Sequence, residues 1–84
     1  MTQTLPTVAE YKAALDHHVD MGDLDINQAV ILLTVFVNHT RGKNTHVKAC
    51  MDRTGLNWKA INAKLNGLVM RGALKKHPDH WYGL

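Results

Sequence analysis

Residues 55–74 of the chain read GLNWKAINAKLNGLVMRGAL. The opening Gly55-Leu56-Asn57 has the composition of a tight turn, and asparagine often caps the start of a helix. Apolar residues then recur at helical spacing, and Gly72 is a typical residue at which a helix ends. We therefore predict a helix over 57–71 with one apolar stripe that faces the core. The stripe consists of Trp58, Ile61, Leu65, Leu68 and Val69.

The N-terminal part of the chain predicts a helix that opens with a capping box. Thr7-x-x-Glu10 matches this motif, in which each side chain bonds to a backbone N–H group of the other residue. Apolar residues follow at helical spacing, and Gly22 is expected to end the helix. The predicted helix spans about 7–21.

The next helix is expected to lie at the centre of the protein. Asp25-x-x-Gln28 opens it with a second capping box, and its apolar residues continue to about Thr40. These residues occur on nearly every side of the helix. We therefore expect other elements to cover it on more than one side.

Shorter elements complete the predicted fold. Thr45 is expected to be the N-cap of a short helix over 46–54. Strands over 73–76 and 81–84 are predicted to pair as a hairpin, because the intervening residues 77–80, His-Pro-Asp-His, have the composition of a turn. The fold class is thus mainly α with a small β-hairpin. The order of elements describes a winged helix-turn-helix with one additional N-terminal helix.

Length and composition predict one domain over 1–84, with the N-terminal helix in 1–22 and the core and wing in 25–84. The longest apolar run is too short to span a membrane and no secretory signal is visible, so no membrane partner is expected. A single cysteine cannot form an internal disulfide framework, which fits a reducing compartment. We expect a cytoplasmic protein.

Charge is distributed unevenly along the chain. Residues 1–40 contain one lysine and five acidic residues, a net charge of −4, whereas residues 41–84 contain nine Lys or Arg and two acidic residues, a net charge of +7. Concentrated cations are typical of a surface that binds a polyanion such as DNA, because phosphate contacts supply most of the non-specific affinity. A solvated basic face that only improves solubility is the alternative.

Residues 24–84 resemble the core of the MarR-type transcriptional regulators, which are winged helix-turn-helix proteins. Members open the recognition helix with Gly-Leu-Ser, continue with an aliphatic stripe and close with Leu-x-x-x-Gly-x-[Leu/Ile]. The corresponding residues of this chain are Gly55-Leu56-Asn57, then Ile61, Leu65 and Leu68, then Gly72-Ala73-Leu74. The resemblance implies that the helix over 57–71 lies in the major groove of DNA and that the hairpin is the wing.

The chain also departs from that family at identifiable positions. The members have long flanking helices that build a dimer, whereas this chain offers only the helix over 7–21. Ala63 stands where the members have an arginine, and the short turn at 77–80 contains Asp79 where their longer wing carries an arginine.

Three groups of residues are predicted to contact DNA. Side chains in the helix over 57–71 reach base edges in the major groove. Two cations and a threonine near the start of the helix over 46–54 form a phosphate clamp. Two lysines of the wing reach phosphates. The helix contributes Asn57, Trp58, Lys59, Asn62 and Asn66; the phosphate clamp consists of Arg41, Lys43 and Thr45; and the wing lysines are Lys75 and Lys76.

Each of these assignments has an alternative. Asn57 fits a helix cap, Asn62 and Asn66 fit ordinary surface residues, and Trp58 fits packing against the central helix. The side of the helix opposite the apolar stripe would enter a groove of DNA or dock on another protein. That side carries Ala60, Ala63, Gly67 and Met70.

The leading prediction is a sequence-selective double-stranded DNA-binding protein, a small transcriptional regulator. A homodimer through the N-terminal helices would read two half-sites. The alternative is a winged-helix module that docks on another protein without reading DNA. Enzyme motifs are absent from the sequence, and we expect no cofactor. His46-x-x-x-Cys50 and His77-x-x-His80 give weak support for zinc, so no metal is expected.

Overall fold

A computed structural model of the protein describes residues 6–78 and 81–84. In these ranges the chain is mainly helical with a small antiparallel sheet, which confirms the predicted mainly-α class. None of the described helices is long and apolar enough to cross a membrane. The elements are α1 (Val8–Asp20), α2 (Ile26–Thr40), β1 (Thr45–His46), α3 (Val47–Thr54), α4 (Trp58–Met70), β2 (Lys75–His77) and β3 (Trp81–Gly83).

Side-chain caps begin three of the helices where the sequence predicts them. Thr7 accepts a hydrogen bond from the Glu10 backbone N–H at 3.1 Å, and the Glu10 carboxylate accepts one from the Thr7 N–H at 3.0 Å. Asp25 and Gln28 form the same box at the start of α2. The Asn57 side chain caps α4 by accepting a bond from the Ala60 N–H at 2.9 Å. A cap of this type contributes about 1 kcal/mol to stability.

The helix α2 is the centre of the core, as its sequence predicts. It contacts α1, α3, α4, β1 and β3. On the α1 side, the Tyr11 ring stacks on Phe36 with ring centroids 4.0 Å apart and an interplanar angle of 4°. The buried residues of α2 are Ala29, Ile31, Leu32, Val35 and Phe36.

The prediction that Trp58 belongs to the apolar stripe of α4 is wrong. Ile61, Leu65 and Leu68 are fully buried, but the Trp58 side chain is 64% exposed. Successive helical residues are rotated by about 100°, so Trp58 lies at the edge of the arc that the three buried residues define. It is also the first residue of α4. The indole therefore lies beside the core and does not enter it.

The strand β1 was not predicted, and Thr45 is not the N-cap of α3. His46 occupies the cap position and its side chain makes no capping hydrogen bond. Thr45 instead pairs with Tyr82 of β3, is 1% exposed, and accepts a hydrogen bond from the Asn38 side-chain amide at 3.0 Å. A two-residue strand leaves no periodic signal in a sequence, and the partner that makes it a strand is distant along the chain.

The sheet has the order β1-β3-β2, so β3 is its central strand. The predicted hairpin is formed by β2 and β3, although β2 begins at Lys75, after the buried Leu74. Tyr82 of β3 is buried and places the sheet against the core. Of the predicted turn, Asp79 and His80 lie outside the described residues.

Two glycines give a matched test of the connection between α3 and α4. Gly55 ends α3 with φ 73, a left-handed conformation, so Gly55→Ala should lower the free energy of unfolding by about 1 kcal/mol. Gly67 lies inside α4, where an added Cβ would meet no atom within 4 Å. Gly67→Ala should therefore raise the free energy of unfolding by about 0.5–1 kcal/mol. Urea unfolding measures both values, and effects of the same sign would contradict the assigned backbone geometry.

Candidate nucleic-acid interface

The side of α4 that faces away from the core is polar near the start of the helix. Its exposed residues are Lys59, Ala63, Asn66 and Met70. Asn62 lies on the flank of this side, is half-buried, and donates a hydrogen bond from its side-chain amide to the Trp58 carbonyl at 3.0 Å. Trp58, Asn62 and Asn66 follow one another at a spacing of four residues, so they step from the flank toward the outward side.

The outer face of the sheet carries a row of aromatic rings. Cross-strand partners lie on the same face of a sheet. Trp81 pairs with His46 on one side and His77 on the other. The His46 ring meets the Trp81 indole edge-on, with centroids 5.1 Å apart. Trp81 is 40% exposed, whereas Tyr82 on the opposite face is buried.

The two lysines predicted to act together on the wing lie on opposite faces of β2. Lys76 pairs with the buried Tyr82 and therefore belongs to the inner face. Lys75 lies two positions from His77 and shares the outer face with it. Only Lys75 therefore lies on the same face as the aromatic row.

The outer face of the sheet continues onto the start of α4. A surface pocket between α3 and α4 is lined by His46, Val47, Trp58 and Asn62. Lys43 and Asn44 line a second pocket together with Trp81, the middle residue of the aromatic row. We call this continuous region the polar-aromatic surface. It consists of Lys43, His46, Trp58, Asn62 and Trp81.

The predicted phosphate clamp is not assembled. Lys43 belongs to the polar-aromatic surface, and Thr45 is buried beneath the sheet. Arg41 is exposed at the C-terminal end of α2, where it lines a groove together with Arg53. These three residues therefore occupy three different environments. Closeness in sequence does not bring them onto one surface, because the chain turns at the left-handed Gly42 and Thr45 then pairs with Tyr82 in the sheet.

Two of the nine cations in residues 41–84 bind the turn between α1 and α2. Lys64 donates to the Asp25 carboxylate at 2.6 Å, and the Arg71 guanidinium donates to the Asp23 carbonyl at 3.0 Å. Lys43, Lys59 and Lys75 have no ion-pair partner within residues 6–78 and 81–84. The cations therefore divide into a pair that supports the fold and a set that remains open to a ligand.

The contact with Lys64 changes the titration of Asp25. Partial burial alone would raise the pKa of this carboxyl, but hydrogen bonds from Lys64 and from the Gln28 N–H outweigh it and lower the pKa below its usual value. A carboxylate with a depressed pKa stabilises the folded state at neutral pH. That contribution is lost as the pH falls through the folded-state pKa.

Cys50 is a core residue of α3. It is fully buried, and burial raises the pKa of its thiol to about 11. His46, by contrast, is exposed at the start of α3, so these two residues do not face each other. In the part of the chain that the structure describes, no group of three His, Cys, Asp or Glu side chains is placed to hold a metal ion.

His46, His77 and Trp81 are surface residues that the sequence did not identify as a group. Their common face depends on the register of β1 and β2 against β3. In β3 an exposed Trp81 is followed by buried Tyr82 and Gly83, and three residues are too few to establish a period in the sequence.

No protein-family model, curated protein or solved structure matches the chain. The resemblance to MarR-type regulators therefore stays a prediction that rests on the residues quoted for it.

The exposure of Trp58 can be tested against a buried residue of the same helix. Trp58→Ala should change the free energy of unfolding by less than about 0.5–1 kcal/mol, because the indole lies largely in water. Leu65→Ala should lower it by about 2–5 kcal/mol, because the substitution leaves a cavity in the core. Chemical denaturation measures both. A loss for Trp58→Ala as large as that for Leu65→Ala would place the indole in the core.

Proposed function

We propose that the protein is a sequence-selective double-stranded DNA-binding protein with a winged helix-turn-helix fold. The order of α2, β1, α3, α4, β2 and β3 supports this proposal, as does a sheet in which β1 joins the hairpin. A short connection with left-handed Gly55 joins α3 to α4, which suits the helix-turn-helix unit. In this proposal α4 lies in the major groove and the β2–β3 hairpin is the wing.

The observation that carries the proposal is the composition of the surface at the start of α4. Lys59 and Asn66 lie on the outward side of the helix, and the exposed indole of Trp58 and the half-buried Asn62 lie on the flank beside them. Lysine bonds guanine or phosphate, and asparagine makes paired hydrogen bonds with adenine. An exposed indole offers apolar contact to a thymine methyl group or a sugar. This set of side chains suits the edges of base pairs.

The remaining cations suit the phosphate backbone. Lys43 and Lys75 lie at the outer face of the sheet, near the aromatic row of His46 and Trp81. Contacts of this kind fix the position of a protein on a duplex without reading its sequence. We therefore assign base reading to α4 and positioning to the sheet. Asn57 serves as the cap of α4, and Arg41 and Thr45 lie outside the proposed surface.

The biological role that we propose is that of a small cytoplasmic transcriptional regulator of the MarR type. One module of this size buries about 600–1,000 Å² against DNA, which gives modest affinity. A homodimer would place two copies of α4 on half-sites about one helical turn apart.

One observation favours a second candidate function, a module that docks on another protein. Met70 is 88% exposed at the end of the outward side of α4, and Ala63 is exposed two turns earlier on the same side. Exposed apolar residues at one location are typical of a protein-interaction site. The two functions differ in their response to salt, because only a duplex binder releases counterions from DNA.

The salt dependence of binding to a labelled random-sequence duplex tests the proposal. The wild-type protein should bind at low salt and lose affinity steeply between about 50 and about 200 mM salt. Lys59→Ala should reduce the slope of log affinity against log salt by about 1, because one phosphate or base contact by a cation is lost.

Lys12→Ala is the matched control for this experiment. Lys12 is an exposed lysine on α1 that pairs with Asp16 at 3.1 Å, so its removal makes the same change in formal charge away from the proposed surface. Its slope should equal that of the wild type. If the wild-type protein does not bind the duplex at low salt, the proposed interface is wrong. It is also wrong if Lys59→Ala and Lys12→Ala reduce the slope of log affinity against log salt by the same amount.

Sequence reading by α4 is tested by selecting preferred sites from a random duplex library. Asn66→Ala should weaken binding to the selected site by about 1–3 kcal/mol and relax the preference at one position, because a base contact is lost. Its affinity for random duplex should not change, since Asn66 is uncharged. An unchanged site preference in the Asn66→Ala protein would remove this residue from the reading surface.

A further inference from the structure

The outer face of the sheet carries flat rings that do not cover one another. Trp81 is 40% exposed, and its indole meets the His46 ring at an interplanar angle of 77°. In an edge-to-face pair of this kind, each ring keeps at least one face that the other ring does not cover. Tyr11 and Phe36 of the core differ, because their rings are stacked face to face at 4°. The pair on the sheet is therefore arranged so that a third flat ring can stack on it.

The sheet holds Trp81 in place and sets polar groups beside it. β3 is the middle strand, so Trp81 has a partner on each side, His46 of β1 and His77 of β2. Gly83 follows two positions later, and a Cβ there would lie 3.0 Å from His77 Nε2 and 3.4 Å from Asn44 Oδ1. The absence of that side chain lets the imidazole and the amide lie close to the sheet. Both groups form hydrogen bonds of the kind that the edge of a nucleic-acid base accepts and donates.

Cations flank these rings. Lys43 lines a pocket together with Trp81, and Lys75 shares the outer face of the sheet with His77. Neither lysine has an ion-pair partner in the part of the chain that the structure describes. Among the described residues, no acidic side chain lines either of the two pockets of the polar-aromatic surface. The surface therefore favours a ligand that combines negative charge with flat rings.

A second exposed indole belongs to the same surface. Trp58 is 64% exposed and lines a pocket together with His46 and Asn62. His46 connects this pocket to Trp81, because its ring contacts the Trp81 indole. Two indoles on one cationic surface offer stacking sites for more than one base.

Stacking on these rings requires a base whose face is free. In a duplex each base face is covered by the neighbouring base pairs, and proteins contact the base edges and the backbone instead. Unpaired bases have free faces. Proteins that bind single strands combine cations along the backbone with aromatic rings on which the bases stack. The polar-aromatic surface contains both components.

We infer that the polar-aromatic surface binds single-stranded nucleic acid, with a base stacked on Trp81 and phosphate groups on Lys43 and Lys75. DNA and RNA share this chemistry, because every base has a stacking face. The activity is additional to the proposed duplex binding and does not depend on it. It is measured with no duplex present, so its failure is distinguishable from failure of the proposed function.

Comparing strands with and without bases tests the inference directly. The full chain is titrated at low salt with labelled oligothymidylate of about 12 nucleotides and with an abasic strand of the same length and charge. Oligothymidylate should bind about fivefold to about 140-fold more tightly, which is the effect of stacking one base. Oligouridylate forms the RNA arm, and tighter binding of either polymer than of the abasic strand supports the inference. Equal binding of all three strands, or no binding, would overturn it.

Substitution of Trp81 locates the stacked base. Trp81→Ala should bind oligothymidylate no more tightly than the abasic strand, whereas Trp81→Phe should keep most of the preference because it keeps a ring. Met21→Ala is the control, since Met21 is a 64% exposed apolar residue at the end of α1, and its preference should equal that of the wild type. A Trp81→Ala protein with an unchanged helical circular-dichroism spectrum and an unchanged preference would overturn the assignment.

Fluorescence provides a measurement that leaves the sheet intact. The chain contains two tryptophans, so Trp58→Phe makes Trp81 the only indole. Its emission should fall when oligothymidylate is added to saturation, because stacking quenches the indole, and should change little with the abasic strand. Unchanged emission at saturation with oligothymidylate would place the bases elsewhere and contradict the inference.

The two lysines of β2 give a matched test of the phosphate contacts. Lys75→Ala should reduce the slope of log affinity against log salt for oligothymidylate by about 0.7, because one phosphate contact is lost. Lys76→Ala makes the same change in formal charge on the opposite face of the strand, and its slope should equal that of the wild type. Equal reductions in both variants would mean that net charge alone attracts the strand, which would overturn the assigned surface.

Discussion

The fold depends on the burial of α2, a helix that is apolar on nearly every side. Burying one large aliphatic or aromatic side chain contributes about 1.5–3 kcal/mol, more than a helix cap or an exposed ion pair. The elements α1, α3, α4, β1 and β3 all contact α2, and their own apolar residues turn inward to do so. Because α4 uses Ile61, Leu65 and Leu68 against the core, its polar side is left outward. The proposed reading surface is thus a consequence of how the core forms.

The basic half of the chain contains two sets of cations. Lys64 and Arg71 bind the turn at 23–25 and join α4 to the start of α2. Such partly exposed contacts contribute little energy each, but they fix the orientation of α4. Lys43, Lys59 and Lys75 lie instead on or beside the polar-aromatic surface. A net charge taken over the sequence combines these two sets, and only the fold separates them.

Local signals explain which features could be predicted from the sequence. The caps at Thr7, Asp25 and Asn57 are set by neighbouring residues, so those helix starts were predicted correctly. Trp58 and Thr45 were misassigned because their burial depends on packing and on a distant strand. The row of His46, Trp81 and His77 depends on strand register, which short strands do not reveal. The candidate interface was therefore predictable on α4 and unpredictable on the sheet.

The most direct test of the central claim is amide chemical-shift mapping by NMR while a short DNA duplex is added at low salt. The account predicts that shifts concentrate on the start of α4 and on β1 and β3, around Trp58, Lys59 and Trp81, while α1 is unaffected. Shifts centred on α1, or no shifts at any duplex concentration, would contradict it.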